Sequence, residues 1–196
     1  DEADRMLDMG FIDDIKGIMD LIPKTRQTLF FSATIEKKVG MLIDTLLNNP
    51  VKISVKTQEA SSHVEQNVVR TPRHLKKDTL VKLLSDKEHF KKVLIFGATK
   101  VMVEDISKTL IEKGFSANSI HGDKPQNKRQ LVLRMFKENQ ISILVATDVA
   151  ARGLDVADIS HVINFDQPNN YEDYIHRIGR TGRGNAKGYA LTFIEG

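Results

Sequence analysis

Two runs, Val93-Leu94-Ile95-Phe96 and Ile143-Leu144-Val145-Ala146, are apolar at every position and bounded by polar residues. Short continuous runs of this kind suit strands covered on both faces, the situation of central strands in a parallel sheet. Parallel neighbours need a crossover of a dozen or more residues, and the intervening stretches have the periodicity of amphipathic helices. From residue 51 onward, strands are predicted at 51–55, 64–69, 93–96, 118–120, 141–145, 161–164 and 189–193, with helices at 72–84, 100–113, 126–138 and 170–178. The fold class that follows is α/β, a mostly parallel sheet with helices on both faces. Function in such sheets gathers at the carboxyl ends of the strands. Gly97-Ala98-Thr99, His121-Gly122-Asp123 and Thr147-Asp148 each follow a predicted strand, so they are the first places to look for a ligand.

The first 48 residues read differently, as a helix at 12–21, one strand at 27–31 and a helix at 36–47. One strand cannot make a sheet, and so short a piece buries too little apolar surface to offset its ordering entropy. Residues 1–47 are therefore expected to belong to a second, mostly absent domain, with 48–62 as linker and 63–196 as the complete domain. Alone, the 1–47 segment is expected to be unstable, and to pack on the larger domain or exchange into a dimer with a neighbouring molecule. The opening Asp-Glu-Ala-Asp, with no initiator Met and no basic-then-apolar leader, marks an expected piece of something longer.

Zero cysteines in 196 residues exclude a disulfide scaffold and a thiolate metal site, and point to a cytoplasmic or nuclear protein. No apolar run approaches the roughly 18 residues of a membrane span. Net charge is uneven, −3 over residues 1–50 and +6 over 51–196, which leaves a body able to hold a polyanion or merely a lysine-rich solvated surface.

Four clusters bear on chemistry. His176-Arg177-Ile178-Gly179-Arg180-Thr181-Gly182-Arg183 spaces three arginines by three, so a continuous helix would show their guanidinium forks on one face, where an anion is the natural ligand. Gly179 and Gly182 weaken that helix and let backbone approach a ligand. In the segment 145–155, Thr147 offers a hydroxyl to a phosphate and Asp155 an acceptor to a ribose hydroxyl, although Thr and Asp after a strand equally suit a helix cap. Gln126 and Arg129 open a helix and suit phosphate, as many surface helices do. The carboxylates Asp1, Glu2 and Asp4, with Ser32-Ala33-Thr34 about thirty residues on, suit Mg²⁺ and a water nucleophile, or simply an acidic helix start.

Taken in order, DEAD at 1–4, SAT at 32–34, HGDK at 121–124, Gln126 with Arg129, ATDVAARGLD at 146–155 and HRIGRTGR at 176–183 resemble the motifs of the DEAD-box RNA helicases. The resemblance covers nearly the whole chain. It implies a RecA-like carboxyl-terminal helicase lobe preceded by the end of the first RecA-like lobe. It further implies ATP and Mg²⁺ as cofactors, RNA as partner, and lobes that close over nucleotide and RNA together. Asp1 would hold Mg²⁺ through water, and Glu2 would orient the attacking water as base. Asp4 would bond Ser32 and Thr34, and His176 would link that cluster to the second lobe. Arg180 and Arg183 would meet the γ-phosphate, with Asp155 and Gly153 on the rest of the nucleotide. Thr99, Gly122, Gln126, Arg129 and Thr147 would hold the RNA backbone.

Two departures stand out. The family's glycine-rich phosphate loop and its glutamine motif are absent from these 196 residues, so the chain alone is expected not to hydrolyse ATP. Gly97-Ala98 also stands where bulkier residues are expected. The alternative reading is a non-catalytic module that holds RNA or a partner protein through its basic face; a DNA helicase of the same superfamily is a weaker third, disfavoured by DEAD together with HRIGRTGR.

Overall fold

Six strands form one sheet in the spatial order β1-β6-β5-β2-β4-β3. They are β1 (Val64–Arg70), β2 (Val93–Phe96), β3 (Ala117–Ile120), β4 (Ile143–Ala146), β5 (His161–Asn164) and β6 (Gly188–Ile194), and every pairing is parallel. The computed structural model of the chain describes residues 2–32, 37–54, 63–151, 154–184 and 186–196. It divides into two compact units, residues 1–56 and 57–196, and the sheet belongs to the second.

Alternation along each strand sorts the core into two layers. Leu94 and Phe96 of β2, Leu144 and Ala146 of β4 and Val162 of β5 pack with Val132 and Phe136 of α6 (Gln126–Lys137). Their neighbours Val93, Ile95, Ile143, Val145 and Ile163 pack on the opposite face with α4 (Lys76–Leu84) and α5 (Lys100–Glu112). Successive side chains of a strand point to opposite faces, so a run apolar at every position is what helices on both faces require. Each of these large side chains contributes about 1.5–3 kcal/mol relative to leaving it in water. The helix α8 (Tyr171–Ile178) covers Val64 and Ala190, and Ala190 is the register partner of Val162, so α8 lies on the α6 face. Asn170 caps it by accepting the Asp173 N–H at 2.7 Å.

Two predicted elements differ. Residues 27–31 and 51–54 form no strand; residue 55 lies outside the described residues. A strand exists only as part of a ladder, and no described residue of the smaller unit pairs with these apolar segments as a strand; Val51 and Ile53 are 89% and 83% exposed. That unit consists of α1 (Ala3–Asp8), α2 (Ile12–Leu21) and α3 (Lys37–Leu46), with Ala3, Val39, Leu42 and Ile43 buried and no buried residue on α2. The helix predicted at 72–84 begins as a 3₁₀ turn, Arg73–Leu75, before α4. Neither α1 nor the four-residue α7 (Asp148–Ala151) is long enough to register as a periodicity.

At the amino end of the sheet, His161 is buried within the rings of His89, Phe90 and Tyr189, with Tyr189 stacked at 4.9 Å. Its Nδ1 meets Ser160 Oγ at 3.0 Å, and its Nε2 is buried without a hydrogen-bond partner. Burial, reinforced by the nearby His89, pushes its pKa down to about 4.

Two measurements follow. Amides of residues 27–31 should exchange on the order of a hundredfold or more faster than those of Val93–Phe96 by mass spectrometry, because they lack a ladder; equal protection would mean a strand partner. As for His161, the unfolded chain takes up a proton below about pH 6.5 and the folded chain only near 4, so stability falls as pH is lowered through that window. The loss should reach roughly 3 kcal/mol, read as a falling Tm, and His161→Phe should flatten the profile. A slope unchanged by that substitution would place its origin elsewhere.

Candidate functional site

The register sets the geometry of the carboxyl edge. Ala146 is paired with both Phe96 and Ile120, and Phe96 also with Asn164. The residues that follow, His121, Thr147, Gly97 and Phe165, therefore stand in a row at the usual spacing of about 4.8 Å. Thr99 caps α5, its Oγ1 accepting the Met102 N–H at 3.2 Å. Thr147 is partly buried at the entrance to α7, and its carbonyl accepts from Ala150 and Ala151. Gly122 lies on an exposed turn, Gln126 is the exposed first residue of α6, and Arg129 is partly exposed one turn on. Gly97 is small for a packing reason, since a Cβ there would lie 3.0 Å from Val103 Cγ2.

Beneath this edge lies a buried cation. The expectation that Arg177, Arg180 and Arg183 share a helix face is corrected: α8 ends at Ile178, and Arg177 is 3% exposed and turned into the sheet. Its Nε and Nη2 donate to Asp148 Oδ1 and Oδ2 at 2.6 and 2.8 Å. Nη1 donates to the Asp166 carbonyl at 2.7 Å and to Asn164 Oδ1 at 3.2 Å, and the guanidinium stacks 5.0 Å over the Phe96 ring. Asn164 Nδ2 donates to Thr192 Oγ1, while the Asp166 carboxylate accepts from the Ala98 N–H and from Lys76. Loops after β2, β4 and β5 are thus tied to α8 through one side chain. The sequence signals for this were a polar Asn164 closing an apolar run and an Asp148 with no other assignment.

Past Ile178 the chain turns. Thr181 is buried, its hydroxyl donating to the carbonyls of Ile159 and Ser160, just before β5. Gly182 has φ +66°, and a Cβ on it would lie 2.7 Å from Val64 Cγ2; one on Gly188 would collide with the Gly182 backbone. Seated this way, Arg180 donates from Nη1 to the Leu154 carbonyl at 3.3 Å, and Arg183 Nη1 lies 3.5 Å from Asp155 Oδ1. The Asp155 side chain is 92% exposed. Two guanidinium groups beside an exposed carboxylate suit a polyphosphate carrying a ribose. His176 is partly buried on α8, its carbonyl accepting from Arg180 Nε.

In the smaller unit, Glu2 is exposed and caps α1 at φ +52°, a left-handed conformation unusual for a side chain of its size. Asp4 is buried, with Oδ1 accepting the Arg5 N–H, and Ser32 is partly buried. The Ala3 N–H donates to the Phe31 carbonyl at 3.1 Å, which brings the acidic turn to the segment that ends in Ser32. Asp1, Thr34 and Gly153 lie outside the described residues. Among the described residues no group of three or more acidic or histidine side chains is placed so as to hold a metal ion. No helix among them is long and apolar enough to cross a membrane.

Comparison with known proteins fits this geometry. Residues 75–185 match the helicase conserved C-terminal domain, and residues 1–42 match the DEAD/DEAH box helicase model. The chain belongs to the DEAD-box helicase family. It is 46% identical to the DEAD-box ATP-dependent RNA helicase CshA of Bacillus subtilis over 99% of its own length and 39% of that protein. It is 50% identical to the ATP-dependent RNA helicase DBP2 of Candida albicans, covering 35% of that protein, so the chain spans about two-fifths or less of these relatives. Among solved structures, Dbp5 of S. cerevisiae bound to RNA and ADP BeF3 matches with a TM-score of 0.86 at 30% identity, over 100% of this chain and 52% of that one. A DEAD box protein of Methanococcus jannaschii matches with a TM-score of 0.65 at 40% identity, over 100% and 52%. The sheet is that of the RecA-like carboxyl-terminal lobe shared by DEAD-box helicases.

Removing one member of a buried charge pair leaves the other uncompensated. Arg177→Met should therefore lower stability by about 3–5 kcal/mol in denaturant titrations, and adding Asp148→Asn should recover part of that loss. Additive losses in the double variant would mean that the two groups are not energetically coupled.

Proposed function

We propose that this chain forms the carboxyl-terminal lobe and the end of the ATP-binding lobe of an ATP-dependent RNA helicase, separated by a linker at 48–62. The observation that carries the proposal is the division of α8 and its extension between two poles. Arg177 is bound into the carboxyl edge that displays Thr99, Thr147 and Gly122, while Arg180 and Arg183 stand beside Asp155 at the other end. The carboxyl-edge residues present hydroxyl and backbone groups suited to a phosphodiester, with Gln126 and Arg129 following at the start of α6. Such contacts read no base, so RNA of many sequences would bind, with affinity falling as salt rises.

At the other pole, Arg180 and Arg183 would neutralise charge developing on the γ-phosphate, and Asp155, with Gly153, would accept from the ribose. Asp1 would hold Mg²⁺, which supplies charge neutralisation between the terminal phosphates when bound. Glu2 would take the proton of the attacking water on its carboxylate, Asp4 would bond Ser32 and Thr34 to position that turn, and His176 would link the cluster to the second lobe. Phosphoryl transfer depends mostly on positioning and on charge stabilisation of this kind. A strand held along its backbone in a bent path no longer fits an A-form duplex, so a few base pairs would part locally, and hydrolysis would reset the lobes. No glycine-rich phosphate loop occurs in these 196 residues, so hydrolysis is proposed for the full-length protein.

RNA-stimulated ATP hydrolysis by the full-length protein tests this reading. Arg183→Ala should cut turnover by roughly 10³-fold or more while leaving nucleotide-free RNA binding intact. Unchanged turnover would remove Arg183 from the phosphate site, and RNA binding without any hydrolysis in the unaltered protein would favour a non-catalytic binding module.

A further inference from the structure

Glu104 lies on α5, outside every motif above, and its Oε1 accepts three hydrogen bonds: from Ser119 Oγ at 2.6 Å, His121 Nε2 at 2.8 Å and Lys124 Nζ at 2.7 Å. We propose that Glu104 is a positioning residue that holds the His121–Lys124 turn in the shape that presents the Gly122 backbone to a phosphodiester. The inference rests on the RNA reading above and deepens it.

The turn needs a tether because of where it sits. It follows β3, which pairs with β4 on one side and with no strand among the described residues on the other. Its side-chain tethers come chiefly from α5, while Lys124 Nζ also donates to Ser119 Oγ on β3 at 2.6 Å and the Lys124 N–H to the His121 carbonyl at 3.1 Å. Glu104 takes His121 and Lys124, and Lys100 Nζ reaches both oxygens of Asp123 at 2.5 and 2.6 Å. An ionised carboxylate only accepts, so His121 donates through Nε2, and its buried Nδ1 is left without a partner. Burial alone would raise the carboxyl pKa of Glu104, but the bonds from Lys124, Ser119 and His121 outweigh it and hold it at about 2. Of the four residues in the turn, Gly122 alone is not held. It is exposed, its N–H makes no hydrogen bond to a described residue, and no atom lies within 4 Å of where a Cβ would stand. That open position adjoins Thr99 and the start of α6.

Stability is not what the tether chiefly supplies: Glu104 is 49% exposed, so solvent screens its pairs with His121 and Lys124, although those partners are only 9% and 20% exposed. What three bonds to one oxygen do supply is geometry, because the peptide of Gly122 is fixed by the residues on either side of it. A displacement of about 1 Å at such a contact is enough to cost one to two orders of magnitude in binding or rate.

The test is binding of a fluorescent single-stranded oligouridylate by anisotropy, with melting curves for each variant. Glu104→Ala should weaken binding roughly tenfold while keeping a cooperative melting transition at a lower Tm, because buried Ser119 and His121 lose an acceptor. Gly122→Val, which fills the open position, should weaken it at least as much, and the double variant should be no weaker than Gly122→Val alone. If Gly122→Val weakens binding and Glu104→Ala does not, or if the two losses add, the positioning role is overturned and the RNA reading stands. If Gly122→Val leaves binding unchanged, the RNA reading of this turn fails and the inference with it. Should Glu104→Ala lose its melting transition, Glu104→Gln carries the test, since it keeps the volume and acceptor oxygen while losing the charge. A loss of roughly threefold is then expected, as charge-assisted bonds become neutral ones; no loss would overturn the proposal.

Discussion

The carboxyl edge of this sheet is organised around one guanidinium. A parallel sheet covered on both faces ends its strands in a dry layer, where every loop that starts there brings polar backbone that must be satisfied. Arg177 answers that demand for two loops and a strand end together, reaching Asp148 after β4, the Asp166 carbonyl after β5 and Asn164 within β5. Asp166 then takes the Ala98 N–H, which brings in the loop after β2. A lysine could not replace it. One ammonium has no planar fork to grip both oxygens of Asp148 while stacking on Phe96. A buried pair of this kind adds little net stability against an apolar alternative, so its value lies in fixing where the loops go.

That arrangement makes α8 a short mechanical link. Its eight residues span about 12 Å at the usual rise. Near its carboxyl end Arg177 is bound to Asp148, the residue after Thr147. Directly past Ile178 the chain passes into a turn seated on Ile159, Ser160 and Val64 by Thr181 and Gly182. A shift of Asp148 would have a direct covalent and hydrogen-bonded route to Arg180, three residues beyond Arg177. Allosteric coupling between two ligands requires an element that both can bias, and this segment, held at Arg177 and again at Thr181, has the necessary connections.

The sheet was legible because its signal is local. Val93–Phe96 and Ile143–Ala146 announce buried strands by composition alone, and the lengths between them leave room only for crossovers. The segments at 27–31 and 51–54 carry the same local signal and are not strands, since pairing depends on a neighbour that no local pattern encodes. The site shows the same division. Residue types and order pointed to Asp155, Arg180 and Arg183, which the structure brings side by side. The burial of Arg177 was not legible, because spacing of three on an ideal helix says nothing of where Gly179 ends that helix. Glu104 was invisible for a related reason: its partners Ser119, His121 and Lys124 are 15 to 20 positions away and meet it only once α5 has packed on β3.

The two poles also differ in how firmly they are set before any ligand arrives. At the carboxyl edge the turn around Gly122 is pinned at three of its four residues, so little ordering entropy remains to oppose a backbone contact. Past the end of α8, Arg183 and Asp155 hold each other at 3.5 Å with the carboxylate almost wholly in solvent. Such a pair is weak and exchanges easily for a stronger anion, because water and salt already compete with it. Under the proposed function, a phosphate taking the Arg183 guanidinium would release Asp155 for a hydroxyl in the same step. One surface would then receive its ligand unchanged and the other give up a contact for it, the asymmetry a cycle needs if one ligand is to be gripped while the other is consumed and released.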